Sequence, residues 1–187
     1  TFQDFSRWAN VFFKQNGKQG IDEIRWILYP FAGRILKIGR LMYANYNFDY
    51  PYYIFENKRT RKLTILASDN INITNNGHIE NTNGKKELKK FTTELTEEDG
   101  NIKGYAVDME KAIVTDEICT LNQNEENLLL FPGVQILNLH IPAGENFSPE
   151  YVDSSLKKAK ELFKKLGFPC KLAMCQSWLL DPNLIKF

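Results

Sequence analysis

The chain has 187 residues, of which 43% are hydrophobic and 25% charged, and a chain of this size can bury a core without disulfides or metals. Its 24 basic and 23 acidic side chains leave a net charge of +1, so no overall field attracts nucleic acid or an anionic membrane. No stretch approaches the roughly 18 to 20 apolar residues of a membrane-spanning helix, and we expect neither a nucleic-acid nor a membrane partner.

The cysteines and the start of the chain indicate the compartment. The three cysteines, Cys119, Cys170 and Cys175, form no CxxC pair, and an odd number argues against a disulfide framework or a structural zinc site. We therefore expect reduced thiols in a cytoplasmic protein, without a bound metal. Residues Thr1–Phe5 lack the basic and apolar regions of a signal peptide and a starting Met, and we expect a chain trimmed from a longer protein.

The first 33 residues are predicted to be helical. Apolar side chains recur at steps of three and four in residues 2–13, which predicts an amphipathic helix whose aromatic stripe packs in the core. Residues Ile21–Phe31 repeat this spacing and predict a second short helix, closed by Pro30 and Gly33.

Strands are predicted to follow. Ile35–Tyr43 predicts a strand that continues to Phe48, in which Gly39 marks a bulge or a close backbone approach. Tyr50–Phe55 and Lys62–Ala67 predict the two strands of a hairpin. Aromatic residues beside the basic turn of this hairpin could also bind single-stranded nucleic acid, but a half-buried hairpin explains them without an open basic groove.

The middle of the chain is polar and gives weaker signals. Residues 68–104 are rich in Asn and Gly, with an alternation of isoleucines that fits an edge strand or hairpin. Phe91–Asp99 predicts a short helix or turn, and Gly104–Val107 another short strand. Residues 112–121 have a mixed pattern that predicts no definite element.

The last third predicts a strand, a turn, a helix and a second strand. Val134–Ile141 alternates as a strand does, and Pro142–Gly144 breaks it. Ser148 is a natural N-cap for a helix over Pro149–Leu166, and Lys171–Gln176 predicts the next strand. A right-handed crossover would make the two strands parallel neighbours in one sheet. Free main-chain N–H groups behind a glycine turn can hold an anion, although most such helices bind nothing.

Four segments are specific enough to compare with known families. They are Trp26–Leu41, which ends in Ile38-Gly39-Arg40-Leu41; Pro132–Gly144, which ends in His140-Ile141-Pro142-Ala143-Gly144; Ser154–Phe163; and Cys175–Pro182, which contains Ser177-Trp178-Leu179-Leu180-Asp181-Pro182. In this order they resemble a bacterial acyltransferase-like family whose C-terminal domain is GNAT-like, that is, similar to the N-acetyltransferases of the GNAT class. The resemblance runs from about residue 26 to 182.

The resemblance implies both the fold and a co-substrate. The fold would be α+β, with a mixed, mostly antiparallel sheet flanked by helices, in a single GNAT-like domain over residues 1–187. This domain would combine a helical part, 1–33, with a sheet core, 34–187. The co-substrate would be acyl-CoA, with its pyrophosphate on main-chain N–H groups and its pantetheine arm between two splayed parallel strands. The residues implied to contact it are Ile141, Ala143, Gly144, Glu145, Asn146 and Ser148.

The implied reaction moves an acyl group from acyl-CoA to a small amine or hydroxyl acceptor, and it needs a base and an acid. His140 is the candidate base, or else a structural histidine that pins the turn by a hydrogen bond. Cys175 could be a nucleophile activated by His140, or a buried small hydrophobe. Ser177 could be an acid or a substrate hydrogen-bond donor, or could satisfy backbone at the strand end.

A second interpretation is a non-catalytic GNAT-like module that senses a ligand or docks a partner. It is favoured by Glu145, an anion where phosphate would bind, and by Gly144, the only glycine of the Pro142–Phe147 turn. The sequence leaves the oligomeric state open.

Overall fold

The structure is a computed structural model that describes residues 2–22, 24, 28–80, 88–142, 146–168 and 172–177. Contacts within the chain separate two units, one formed by residues 1–46 and 135–187 and the other by residues 47–134. The expectation of a single domain over residues 1–187 stays a prediction. Among the described residues, no helix is long and apolar enough to cross a membrane.

The described residues form two helices and twelve strands. They are α1 (Phe2–Asn16), β1 (Ile35–Ile38), β2 (Leu41–Asn47), β3 (Tyr52–Asn57), β4 (Leu63–Ala67), β5 (Asn72–Thr74), β6 (Lys89–Thr92), β7 (Thr96–Glu98), β8 (Asn101–Asp108), β9 (Ile113–Asn122), β10 (Glu126–Leu130), β11 (Gln135–His140), α2 (Pro149–Lys165) and β12 (Ala173–Cys175). This confirms an α+β protein with mostly antiparallel strands.

The sheet of the first unit has the order β1-β2-β11-β12. β1 and β2 are antiparallel, whereas β11 and β12 are parallel and are joined in sequence through α2. Leu137 pairs with Ala173, and Leu139 pairs with Cys175. The predicted strand-helix-strand order and the parallel pairing of its two strands are therefore confirmed, while the turn predicted at Pro142–Gly144 lies partly outside the described residues.

Helix α2 packs on one face of this sheet through a small apolar core. Ala159 and Phe163 of the helix meet Leu41, Tyr43 and Leu137 of the strands, and the Tyr43 and Phe163 rings meet edge to face. The helix begins at Pro149 as predicted, because proline has no N–H to lose and its φ suits the first helical position. It ends one residue earlier than predicted.

The hairpin between β1 and β2 corrects one prediction. The single strand expected over Ile35–Tyr43 is broken by a two-residue turn, Gly39-Arg40, across which Ile38 pairs with Leu41. Gly39 has φ +61°, which favours glycine, and a Cβ on it would lie 3.2 Å from Ser155 Cβ. Of the two explanations for Gly39, the close backbone approach is right and the bulge is wrong.

Helix α1 is present, but the predicted burial of its aromatic stripe is wrong for three of its members. Phe5, Trp8 and Phe13 are each more than 40% exposed (42%, 44% and 53%). Helical spacing identifies a face that can be buried, but it does not supply the element that buries it. The second predicted helix, Ile21–Phe31, falls partly outside the described residues.

The second unit is an antiparallel sheet of order β10-β3-β4-β8-β7, in which β9 also pairs with β8; β5 and β6 form a separate pair. The predicted hairpin is confirmed as β3 and β4, paired from Tyr52 with Ala67 to Glu56 with Leu63. The short helix or turn predicted over Phe91–Asp99 is wrong: parts of this segment belong to β6 and β7. Their pairing with β5 and β8 outweighs local propensity.

Candidate functional site

The start of α2 is the first part of the candidate site. Ser148 is extended, with φ −117° and ψ 156°, and its side chain does not cap the helix. Pro149 has no N–H, and the Val152 N–H already bonds to the Ser148 carbonyl at 3.1 Å. The Glu150 N–H bonds to the carboxylate of its own side chain. Among the described residues of the first turn, Tyr151 therefore offers its N–H to an anion, at the positive end of the helix dipole.

A carboxylate lies beside these donors. Hydrogen bonds from the Ser148 hydroxyl and from the residue's own N–H lower the pKa of Glu150, and the charged form is the one stabilised. A bound anion would have to share this helix end with Glu150. The acidic residue that sequence analysis singled out, Glu145, lies outside the described residues, as do Ala143 and Gly144.

His140 is the last residue of β11 and lies two residues before the proline that ends the strand segment. It is half-buried, and burial lowers its pKa, because an imidazolium loses hydration there. The imidazole is therefore neutral at pH 7, the state that a general base requires.

The register of β11 and β12 separates His140 from Cys175. Residues paired across two strands share a face, so Cys175 lies on the face of Leu139, which packs toward α2. His140, the next residue along, lies on the opposite face. Burial also raises the pKa of the Cys175 thiol, which keeps it protonated at neutral pH. This placement does not favour Cys175 as a nucleophile activated by His140.

Asn138 lies on the same face as His140, two residues earlier, and was not predicted as a site residue. Its Oδ1 is buried and has no hydrogen-bond partner in the part of the chain that the structure describes. A buried amide oxygen without a partner is costly, and functional sites are one place where such costs are tolerated. The alternation of β11 was the signal in the sequence that could have placed Asn138 beside His140.

The other predicted residues are placed as follows. Ile141 directly follows β11 and packs against the core under α2, while Asn146 and Ser148 precede the helix. Ser177 follows β12 by two residues. The catalytic and binding roles of these residues stay predictions. Among the described residues there is no cluster of three or more side chains suited to hold a metal ion.

Arg40 is a second residue near the candidate site that was not predicted from the sequence. It occupies the β1–β2 turn and is only 6% exposed. Its Nε donates to the Asn146 carbonyl at 2.9 Å, and its Cζ lies 5.3 Å from the centre of the Phe147 ring. A buried cation thus contacts the segment that leads into α2.

Comparison with known proteins identifies the family. The family model described as "GNAT-like C-terminal domain" matches residues 35–187, which is most of the chain. No curated protein and no solved structure matches the chain. The observed sheet, with its parallel pair and the helix between the two strands, agrees with this match. The chain belongs to the family of the GNAT-like C-terminal domain, whose fold is of the acyltransferase type.

Proposed function

We propose that the protein transfers an acyl group from acyl-CoA to a small amine or hydroxyl acceptor. The observation that carries the proposal is the parallel pair β11–β12, joined through α2, with His140 at the end of β11 next to the segment that leads into the helix. Family membership supports the acyltransferase type of fold, and the reaction is inferred from the site.

We infer that the diphosphate would bind near the start of α2. The Tyr151 N–H is a donor in the first turn, where the helix dipole is positive, and Arg40 holds the preceding segment through the Asn146 carbonyl. Glu150 opposes an anion there, but it is exposed, so water and salt screen its charge. When bound, acyl-CoA would supply the activated thioester.

His140 would accept the proton that the acceptor loses as it attacks the thioester. A neutral imidazole at the end of a strand can take a proton from an ammonium or a hydroxyl at pH 7. We assign to Ser177, at the end of the neighbouring strand, the hydroxyl that donates a hydrogen bond to the leaving thiolate. Neither role requires a covalent intermediate on the protein.

One observation favours the second candidate, a non-catalytic module that senses or docks a ligand. The Glu150 carboxylate accepts hydrogen bonds from groups at the helix start that would otherwise be available to phosphate. In a module that has lost coenzyme A binding, such a side chain would replace the anion at the helix end.

A transfer assay separates the two candidates. The full chain is incubated with acetyl-CoA and longer acyl-CoAs and a panel of small amines and alcohols, and the free thiol released is measured over time. We expect thiol release that depends on both the acyl-CoA and an acceptor, above the rate without protein. The absence of thiol release with every acceptor would contradict the enzyme, and the absence of acyl-CoA binding as well would favour the module that has lost coenzyme A binding.

A further inference from the structure

The turn between β1 and β2 is fixed on α2 from both sides. Ser155, in the second turn of the helix, is fully buried, and its hydroxyl accepts a hydrogen bond from the Leu41 N–H at 3.2 Å and donates one to the Ile38 carbonyl. Between these two residues, Gly39 approaches the Ser155 backbone so closely that a Cβ would lie 3.3 Å from Ser155 Cα. The turn therefore has little freedom to move along the helix.

Arg40 extends from this fixed turn to the segment before α2. Its Nε bonds to the carbonyl of Asn146, a residue 106 positions away, and its guanidinium lies over Phe147. Arginine can make both contacts at once because its planar fork donates at the edge and stacks on the face. Lysine, a point charge on a flexible stem, can keep the charge but not this geometry.

Burying a cation is costly, and the cost is tolerated where the charge is held in a defined place. Here it holds the two residues immediately before Ser148, the residue that precedes α2. We propose that Arg40 is a positioning residue, which fixes Asn146–Ser148 in the conformation that presents the start of α2 to the diphosphate of acyl-CoA. This inference rests on the function proposed above.

The test uses two competitors, of which coenzyme A carries the diphosphate with its nucleotide and pantetheine carries the same thiol arm without them. Both compete with acetyl-CoA in the transfer assay, which is read here as acylated acceptor because the competitors are themselves thiols. For R40A we expect the KM for acetyl-CoA and the inhibition constant of coenzyme A to rise by about tenfold or more, because displacing a binding group by an ångström is costly. The inhibition constant of pantetheine and kcat should stay within about twofold.

Two further variants support this test. R40K keeps the charge, and we expect its affinity for coenzyme A to lie between those of R40A and the wild type. If R40A does not fold, the inhibition constants of R40K for coenzyme A and pantetheine provide the test. R34A removes an exposed arginine that precedes β1 and controls for net charge, with no change in either inhibition constant expected.

Two results would overturn the inference and leave the proposed function standing. One is an equal rise in the inhibition constants of coenzyme A and pantetheine, and the other is an unchanged inhibition constant of coenzyme A in both Arg40 variants. Failure of the wild-type chain to bind acetyl-CoA would instead overturn the proposed function, and the inference would fall with it.

Discussion

Replacement of His140 by glutamine is expected to lower kcat/KM for acyl transfer by about 100-fold or more, the usual contribution of a positioned general base. Glutamine retains a hydrogen-bonding side chain of similar reach but cannot accept the acceptor's proton. The measurement is the rate of thiol release from acetyl-CoA at about pH 8, where the wild-type imidazole is neutral. H78Q, the same substitution in the second unit, is the matched control and should retain wild-type activity.

The pH dependence gives this prediction its direction. Burial lowers the pKa of His140 below its usual value of 6.5, so the base becomes protonated only in acid. Wild-type activity should therefore be level above about pH 7 and fall as the pH drops through the lowered pKa. H140Q should lack this acidic fall. An acidic fall of the same size in H140Q, or more than a third of the wild-type rate, would show that another group is the base.

Replacement of Ser155 by alanine is expected to lower the free energy of unfolding by about 3 kcal/mol, since each buried polar group left without a partner costs roughly 1 to 3 kcal/mol. The hydroxyl is fully buried and serves three groups: the Leu41 N–H, the Ile38 carbonyl and the Tyr43 hydroxyl, which is 3.0 Å away. Denaturant unfolding of both proteins measures the difference.

Ser154, an exposed residue of the same helix, is the matched control for Ser155. S154A should change the free energy of unfolding by less than about 0.5 kcal/mol, as exposed substitutions usually do. If S155A lowers the free energy of unfolding by no more than S154A does, the buried hydroxyl does not hold the β1–β2 turn on α2.

The parts that could be predicted from the sequence are those with local signals. Pro142 ends a strand, Ser148 and Pro149 begin a helix, and Gly167, with φ +69°, follows its end. Such signals act within a few residues, so the order and bounds of β11, α2 and β12 followed from the sequence to within two residues.

The parts that could not be predicted depend on contacts between distant residues. The hydrogen bond from Arg40 to Asn146 joins residues 106 positions apart, and nothing local to either indicates it. The placement of Cys175 and His140 on opposite faces depends on the register between β11 and β12. A shift of one residue in this register would place the two side chains on the same face. The strands β6 and β7 form in a polar segment through pairing with their neighbours.

Binding of acyl-CoA by the full chain is the central claim, and a calorimetric titration with acetyl-CoA tests it most directly. We expect one saturable site whose affinity falls as salt is added, because a charged diphosphate would be held in part by the positive end of a helix. Titration at two temperatures guards against a vanishing heat, since burial of the pantetheine arm changes the heat capacity. The absence of heat at both temperatures with acetyl-CoA and with longer acyl-CoAs would contradict the account.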